Sequence, residues 1–344
     1  MIRRLVKTAF CHAAAWARLE AWIDRGQPVV IGYHRVLEDD PGEAVMPGLW
    51  ISLRMLERHL DWIGRRCRFV TLDELGALLE AGSVRTPVAA VTFDDGYADV
   101  HAALPMLRRK GIPAAVFVVS DAVDGGKALL HDRVYRAMVW TLRGDRAVPP
   151  VLAACLGDRR IAVAARRPDQ LTSAVLSALR REEILRLLET LEADGPEPAD
   201  GDGRSLAADT LRALHATGTI IGSHTRTHAR LIGASRKELD DEVAGSLRDL
   251  ETRLGAPIRH FAYPDGQFDR AAVRAVERAG YRFAYTACRH RDPARPALTI
   301  PRTMLWERSS LGVGSEFSGA VLSCQVHGEL GVLDRCPRQH PGTH

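Results

Sequence analysis

Short apolar runs rich in β-branched residues recur along the chain, and helical periodicity fills most of the intervals between them. Seven runs read as strands: residues 29–34, 88–94, 114–120, 219–224, 260–264, 283–288 and 298–302. Their hydrophobicity is continuous, as strands covered on both faces require, so the order predicts an α/β domain built on a parallel sheet. The helices between them have legible ends. Ser235 and Glu238 form a capping box ahead of Leu239, Val243, Leu247, Leu250 and Leu254, and Gly255 with Pro257 stops that helix. Asp269 opens the next helix and Gly280 closes it, with Val273 and Val276 on its inner face.

One segment breaks the alternation. Between residues 127 and 203 no strand pattern occurs; Val134, Met138 and Leu142 predict one helix, and the stretch from 171 to 191 another, before the acidic linker "ADGPEPADGDG". The chain therefore divides into an N-terminal amphipathic helix (1–28), a main domain in two pieces (29–126 and 204–322), a helical insertion or lid (127–203), and a C-terminal tail without periodicity (323–344).

Composition narrows the function classes. A chain of 344 residues, 46% hydrophobic, can bury a large core and is not a disordered polymer. The formal charge of +4 is small, and its arginines are interspersed with acids, which describes a solvated surface rather than a nucleic-acid footprint. Six cysteines stand far apart with no CxxC pair, so neither a zinc knuckle nor a disulfide framework is expected. No run of about 18 apolar residues is present to predict a spanning helix. Lys7, His12, Arg18 and Glu20 interrupt the apolar character of the first segment, which reads as a helix packed on the domain or lying on a membrane surface. The expected location is the cytoplasm or the periphery of the inner membrane.

Candidate chemistry collects where parallel α/β domains build their sites, at the carboxyl ends of strands. His34 ends the first run, Asp94 and Asp95 end the second, and His224 ends the fourth, with His228 four residues on; "YPDG" ends the fifth and Arg302 the seventh. Two imidazoles and the carboxylate of Asp95 make an open three-ligand set of the kind that holds a catalytic zinc. Asp94 would then be left beside the ion, free to take a proton from attacking water. Each feature alone has a plainer reading: an HxxxH pair on a surface, and an Asp95 or Asp99 that caps a helix.

"TFDDG", "SHTRTH" and "FAYPDG", in that order, resemble the first three motifs of the polysaccharide deacetylases (NodB-homology, carbohydrate esterase family 4), and "YHRV" resembles a subgroup met in exopolysaccharide synthesis. The likeness spans roughly residues 29–126 and 204–320. It implies a distorted (β/α)7 barrel, here with a helical insertion, in which Asp94 is the general base and Asp95, His224 and His228 bind a divalent metal, usually zinc. It also implies hydrolysis of an N-acetyl or O-acetyl group on a sugar, with a backbone amide near Asp265 donating to the oxyanion and Gly266 permitting close approach; Tyr263 lies in the same motif.

The sequence also departs from the family pattern. Ala262 stands where many members have an Arg that orients the base, and Asp265 stands where they have an aromatic residue. Arg302 is the candidate replacement, against the plain reading of a surface salt bridge; Arg259 is the weaker choice because it precedes its strand. The late His that acts as general acid in the family has no clear counterpart. His327 sits in the tail, whereas His34 would lie at the mouth. Tyr33, Tyr97 and Tyr263 read as core residues before they read as a sugar platform, and His131 with Asp132 reads either as a lid residue turned toward the pocket or, more simply, as a helix cap by Asp132.

The expected function is metal-dependent removal of acetyl groups from sugars of a polysaccharide or lipid-linked glycan. The rivals are a sugar-binding protein of the same fold that has lost turnover, and a deacylase of a small activated sugar. Nucleic acid is not an expected partner, a peripheral membrane contact through the first helix stands as the alternative to its packing on the domain, and the sequence leaves the oligomeric state open.

Overall fold

The computed structural model describes residues 8–13, 28–82, 84–124, 128–143, 152, 167–193 and 203–327. Its strands are β1 (Val29–Tyr33), β2 (Arg35–Leu37), β3 (Trp50–Ser52), β4 (Arg68–Phe69), β5 (Val88–Phe93), β6 (Ala114–Val118), β7 (Ile220–Ser223), β8 (His260–Ala262), β9 (Phe283–Tyr285) and β10 (Thr303–Met304). The main sheet runs β10-β1-β5-β6-β7-β8-β9 with parallel pairing throughout. β4 pairs Val88 and Ala89 at the start of β5, and β2 pairs β3 apart from the main sheet.

A broken seventh strand closes the ring. The Ile300 amide donates to Ala284 O (2.8 Å), and its carbonyl accepts from the Thr286 amide (2.9 Å); three residues later Thr303 pairs Ile31 of β1. The result is a distorted (β/α)7 barrel. The predicted strand 298–302 is corrected accordingly: Pro296–Leu298 is a 3-10 turn, and the extended chain is split between its two neighbours.

Side chains alternate across a strand, and here both faces are buried. Val30, Ala90, Phe117, Ala262, Tyr285 and Ile300 form the inner cluster, while Ile31, Val91, Val116, Ile221, Phe261 and Ala284 face the outer helices. This explains the unbroken hydrophobic runs. The capping box at Ser235 and Glu238 is formed, Asp269 caps Arg270–Ala279, and Gly255 and Gly280 end their helices in the left-handed region. Between Arg236–Leu239 and Gly245–Leu254 the helix carries a π turn, Asp240–Ala244, that periodicity does not reveal.

The insertion contains Leu130–Leu142, Pro168–Ala178 and Arg181–Ala193. The single helix expected over 171–191 is two, separated at Leu179 and Arg180. Val134, Met138, Leu171, Val175, Leu187 and Leu188 bury one another in a core of their own, apart from the two barrel clusters. At the C-terminus, residues 323–326, expected to be a loose tail, belong to the helix Gly319–Val326. Cys11 of the described N-terminal piece buries itself against Val321 and Cys324 of that helix. The rest of both termini lies outside the described residues. Among the described residues no helix is long and apolar enough to cross a membrane.

Candidate active site

The inward phase of β5 places Val88, Ala90, Thr92 and then Asp94 on the barrel interior. Asp94 is 3% exposed, and its amide donates to Tyr33 O (2.8 Å). The next residue would point outward, but Asp95 adopts φ +71° and Gly96 φ +70°, and this left-handed turn brings the second carboxylate round to the same cavity. Asp95, Thr225, His228 and Asp265 are four of the six described non-glycine residues with positive φ. Each such conformation costs about 1–3 kcal/mol, so the strain is concentrated around one place.

Arg302 approaches from the break in the seventh strand. It is 4% exposed, which excludes the surface salt bridge, and it grips Asp94 with two parallel bonds, Nη1 to Oδ1 at 2.6 Å and Nη2 to Oδ2 at 2.7 Å. Nη1 also donates to Thr92 Oγ1 (3.0 Å) and Nε to Thr286 O (3.0 Å), and the guanidinium lies over the Phe117 ring. Burial alone would raise the Asp94 pKa; Arg302, with help from His224, outweighs it and holds the carboxyl below its ordinary value. Ala262 faces this same interior with only a methyl group, which offers Asp94 no donor. Arg259, the weaker candidate, instead lies near Asp73 (3.7 Å).

His224 follows β7, its amide fixed on Val118 O (2.8 Å). Its Nδ1 donates to Ala262 O (2.8 Å), a partner that can only accept, so the lone pair is on Nε2. Burial pushes its pKa down to about 4, which keeps the ring neutral. His228 behaves oppositely: burial lowers it, but the Asp95 charge prevails and lifts it to about 9. His228 Nε2 lies 3.2 Å and His224 Nε2 3.5 Å from Asp95 Oδ1. Neither ring is aligned to donate, so this buried oxygen has no hydrogen-bond partner. Unpaired buried carboxylate oxygens are costly and rare. Two imidazole nitrogens within 3.5 Å of an orphaned anionic oxygen make a donor set that fits a divalent cation.

His34, after β1, is half-buried and makes no hydrogen bond among the described residues. Burial pushes its pKa down, while Asp95 and Asp94 pull it up, which places the ring in the field of the doublet. His327 is the residue at which Gly319–Val326 ends.

In the "YPDG" turn the Gly266 amide closes on Tyr263 O (2.8 Å), and a Cβ at Gly266 would sit 2.3 Å from the Ala287 amide nitrogen, so only glycine fits there. Asp265 is exposed, at φ +56°, and its carboxylate pairs with Arg230 (2.6 Å). Tyr263 is corrected as a substrate residue: it is fully buried, packed on Phe261 and Phe268, and donates its hydroxyl to Leu298 O (3.0 Å). It supports the turn from behind. Tyr33 and Tyr97 are buried as well.

Two plainer readings also need correction. Asp99 is no cap but pairs with the buried Arg35 (2.6 Å). Asp132 does not cap Leu130–Leu142, whose N-cap Leu129 makes no side-chain cap; it accepts from the Tyr97 hydroxyl (2.8 Å) instead. His131 thereby turns into the site, its Nε2 3.6 Å from Asp95 Oδ2. No spacing links residue 131 to the Asp doublet, and the only available signal was an imidazole opening an insertion.

A profile of the polysaccharide deacetylase family matches residues 81–140 and 167–284, just over half of the chain. Similar solved structures include a Streptococcus pyogenes deacetylase, PplD, in complex with acetate (15% identity, TM-score 0.55, covering 87% of this chain and 97% of that one). Others are a polysaccharide deacetylase of Bacillus cereus (17%, 0.53, 87% and 68%) and IcaB of Ammonifex degensii (19%, 0.51, 81% and 91%). At these identities the likeness is one of fold. No curated protein matches the chain in sequence. With the profile spanning both halves of the barrel, including the Asp doublet and the two histidines, this chain belongs to the polysaccharide deacetylase family.

Proposed function

We propose that the chain is a metal-dependent hydrolase that removes acetyl groups from the amino sugars of a polysaccharide or lipid-linked glycan. The observation that carries this reading is the orphaned Asp95 Oδ1 between two imidazole nitrogens, with an ionised Asp94 beside it. Asp95, His224 and His228 would hold the ion. A bound divalent ion, zinc by its donor set, supplies Lewis acidity toward the acetyl carbonyl and lowers the pKa of water.

The remaining steps belong to the chain's own side chains. Asp94 takes the proton from attacking water, and the bidentate Arg302 fixes its direction and keeps it ionised. The Asp265 amide, which no other group of the described chain accepts, donates to the oxygen on which charge develops. His34 gives a proton to the departing amine. A sugar-binding protein would have no use for a buried, oriented base, which favours turnover over binding alone. Acetate bound to the streptococcal structure is the small product this chemistry releases.

The test is acetate release from acetylated oligosaccharides by zinc-loaded protein. Asp94→Asn should abolish release and retain zinc; His224→Ala should lose both. Sugar affinity without acetate release from a panel of acetylated glycans would sink the hydrolase reading.

A further inference from the structure

We infer that the insertion is part of the metal centre: His131 supplies a third imidazole to the cation site of Asp95 and His228, so that a bound ion clasps the insertion to the barrel. The inference rests on the reading that a divalent ion binds there, and it adds a residue from outside the family motifs.

His131 is 7% exposed, and one ring nitrogen of it, one of His228 and a carboxylate oxygen of Asp95 all lie within 4.8 Å of one another. The His131 and His228 rings are 4.9 Å apart, the same as those of His224 and His228. Asp95 turns its two oxygens to two parts of the protein, Oδ1 to the barrel histidines and Oδ2 to His131.

The ring is also held in place by buried hydrogen bonds. The Asp132 carboxylate accepts from the Tyr97 hydroxyl (2.8 Å), so the Tyr97 oxygen accepts from His131 Nε2 (2.7 Å). That relay fixes the ring through Nε2, the nitrogen that also faces Asp95 Oδ2 (3.6 Å), so taking up an ion there would release the Nε2 proton while Tyr97 keeps its bond to Asp132.

The insertion already touches both ligand-bearing loops. Gly203, where the described chain returns from it, runs so close to Asp132 that a Cβ there would lie 3.2 Å from Oδ2. On the Asp95 loop the Tyr97 hydroxyl meets Asp132 and the His131 ring, and just past the insertion Arg204 O and the Leu206 amide bond the Ala98 amide and Gly96 O (2.8 Å each). On the other loop Arg181 donates to Thr227 O (3.2 Å), and Arg230 to Leu176 O (2.8 Å). An ion shared by Asp95, His228 and His131 would join the two sets of contacts.

The full chain is loaded with zinc or cobalt(II), and affinity is read by competition with a chromophoric chelator. His131→Gln should bind zinc about tenfold to a hundredfold more weakly. Zinc should slow hydrogen exchange across residues 130–142 in the native protein and not in this variant. His131→Cys, which offers a thiolate from the same place, should show a sulfur-to-cobalt charge-transfer band. Native zinc affinity in His131→Gln, or a cobalt-loaded His131→Cys without that band, would overturn the assignment while leaving the hydrolase reading intact. A native chain that binds neither metal overturns both.

Discussion

Asp95 divides the molecule into two kinds of construction. On the barrel side, the groups around it are set by backbone: the Asp94 amide on Tyr33 O, the His224 amide on Val118 O, and the His224 ring on Ala262 O. On the insertion side, His131 is set by side chains, Tyr97 and Asp132, on helices whose apolar core is separate from the barrel's. Groups held by a closed parallel sheet cannot shift without opening the ring. The insertion can loosen as a unit, because its own burial does not depend on the sheet. The fixed half therefore suits the base and the ligands that must not move, and the separately folded half suits a wall whose position can depend on what it covers.

The largest effect should come from breaking the fixed half. Arg302→Met leaves Asp94 buried without its counter-charge, and removing one partner of a buried pair costs about 3–5 kcal/mol. Urea denaturation followed at the barrel should record it. Arg302→Lys keeps the charge but loses the two-pronged grip, and an Asp94 turned from its direction should lower kcat about a hundredfold with bound zinc unchanged. Unaltered kcat in the lysine variant would mean that charge alone, not orientation, is what Arg302 supplies.

Leu188→Ala tests the separate half. Truncating a fully buried leucine costs about 2–5 kcal/mol. Amide exchange at residues 184–191 should accelerate while exchange in β5 stays as it was. Acceleration in both would show one cooperative unit and remove the distinction between barrel and insertion.

How much of this was legible follows the same division. The inward and outward faces of the barrel strands are both apolar, so six of the seven runs stood out, and the Asp and His motifs follow them directly in sequence. β2, β3 and β4 are two or three residues long and too short to show a period. The seventh strand was misplaced because Pro296 and Pro301 break it into two short pairings. Arg302 could be named as the partner of Asp94 because it closes an apolar run, but its path through the barrel interior depends on that break. For His131 the sequence leaves a lid residue and a helix cap side by side, because helix periodicity says which face is buried and nothing about which loop it meets.

Tyr97→Phe strikes the junction itself with a smaller change. The ring keeps its place under the Arg35 guanidinium (5.2 Å), but Asp132 loses a donor and His131 an acceptor. Leaving such buried groups short costs about 1–3 kcal/mol. The loss should be seen as faster exchange across residues 130–142, with barrel stability nearly constant.

The smallest effect is expected at the rim. Arg230 bonds Asp265 on the "YPDG" turn and Leu176 O on the insertion, so on contact geometry alone it looks like a second clasp. Both charged side chains are more than a third exposed, however, and pairs of that kind contribute about 0.2–1 kcal/mol because water and salt screen them. When Arg230 is removed, water replaces it at little cost as the donor to the Leu176 carbonyl and the Asp265 carboxylate. Arg230→Ala should therefore leave exchange at residues 168–178 within about fivefold of native, a limit that 1 kcal/mol sets. Exchange accelerated beyond Tyr97→Phe would move the hinge of the insertion from the buried Tyr97 relay to this exposed pair.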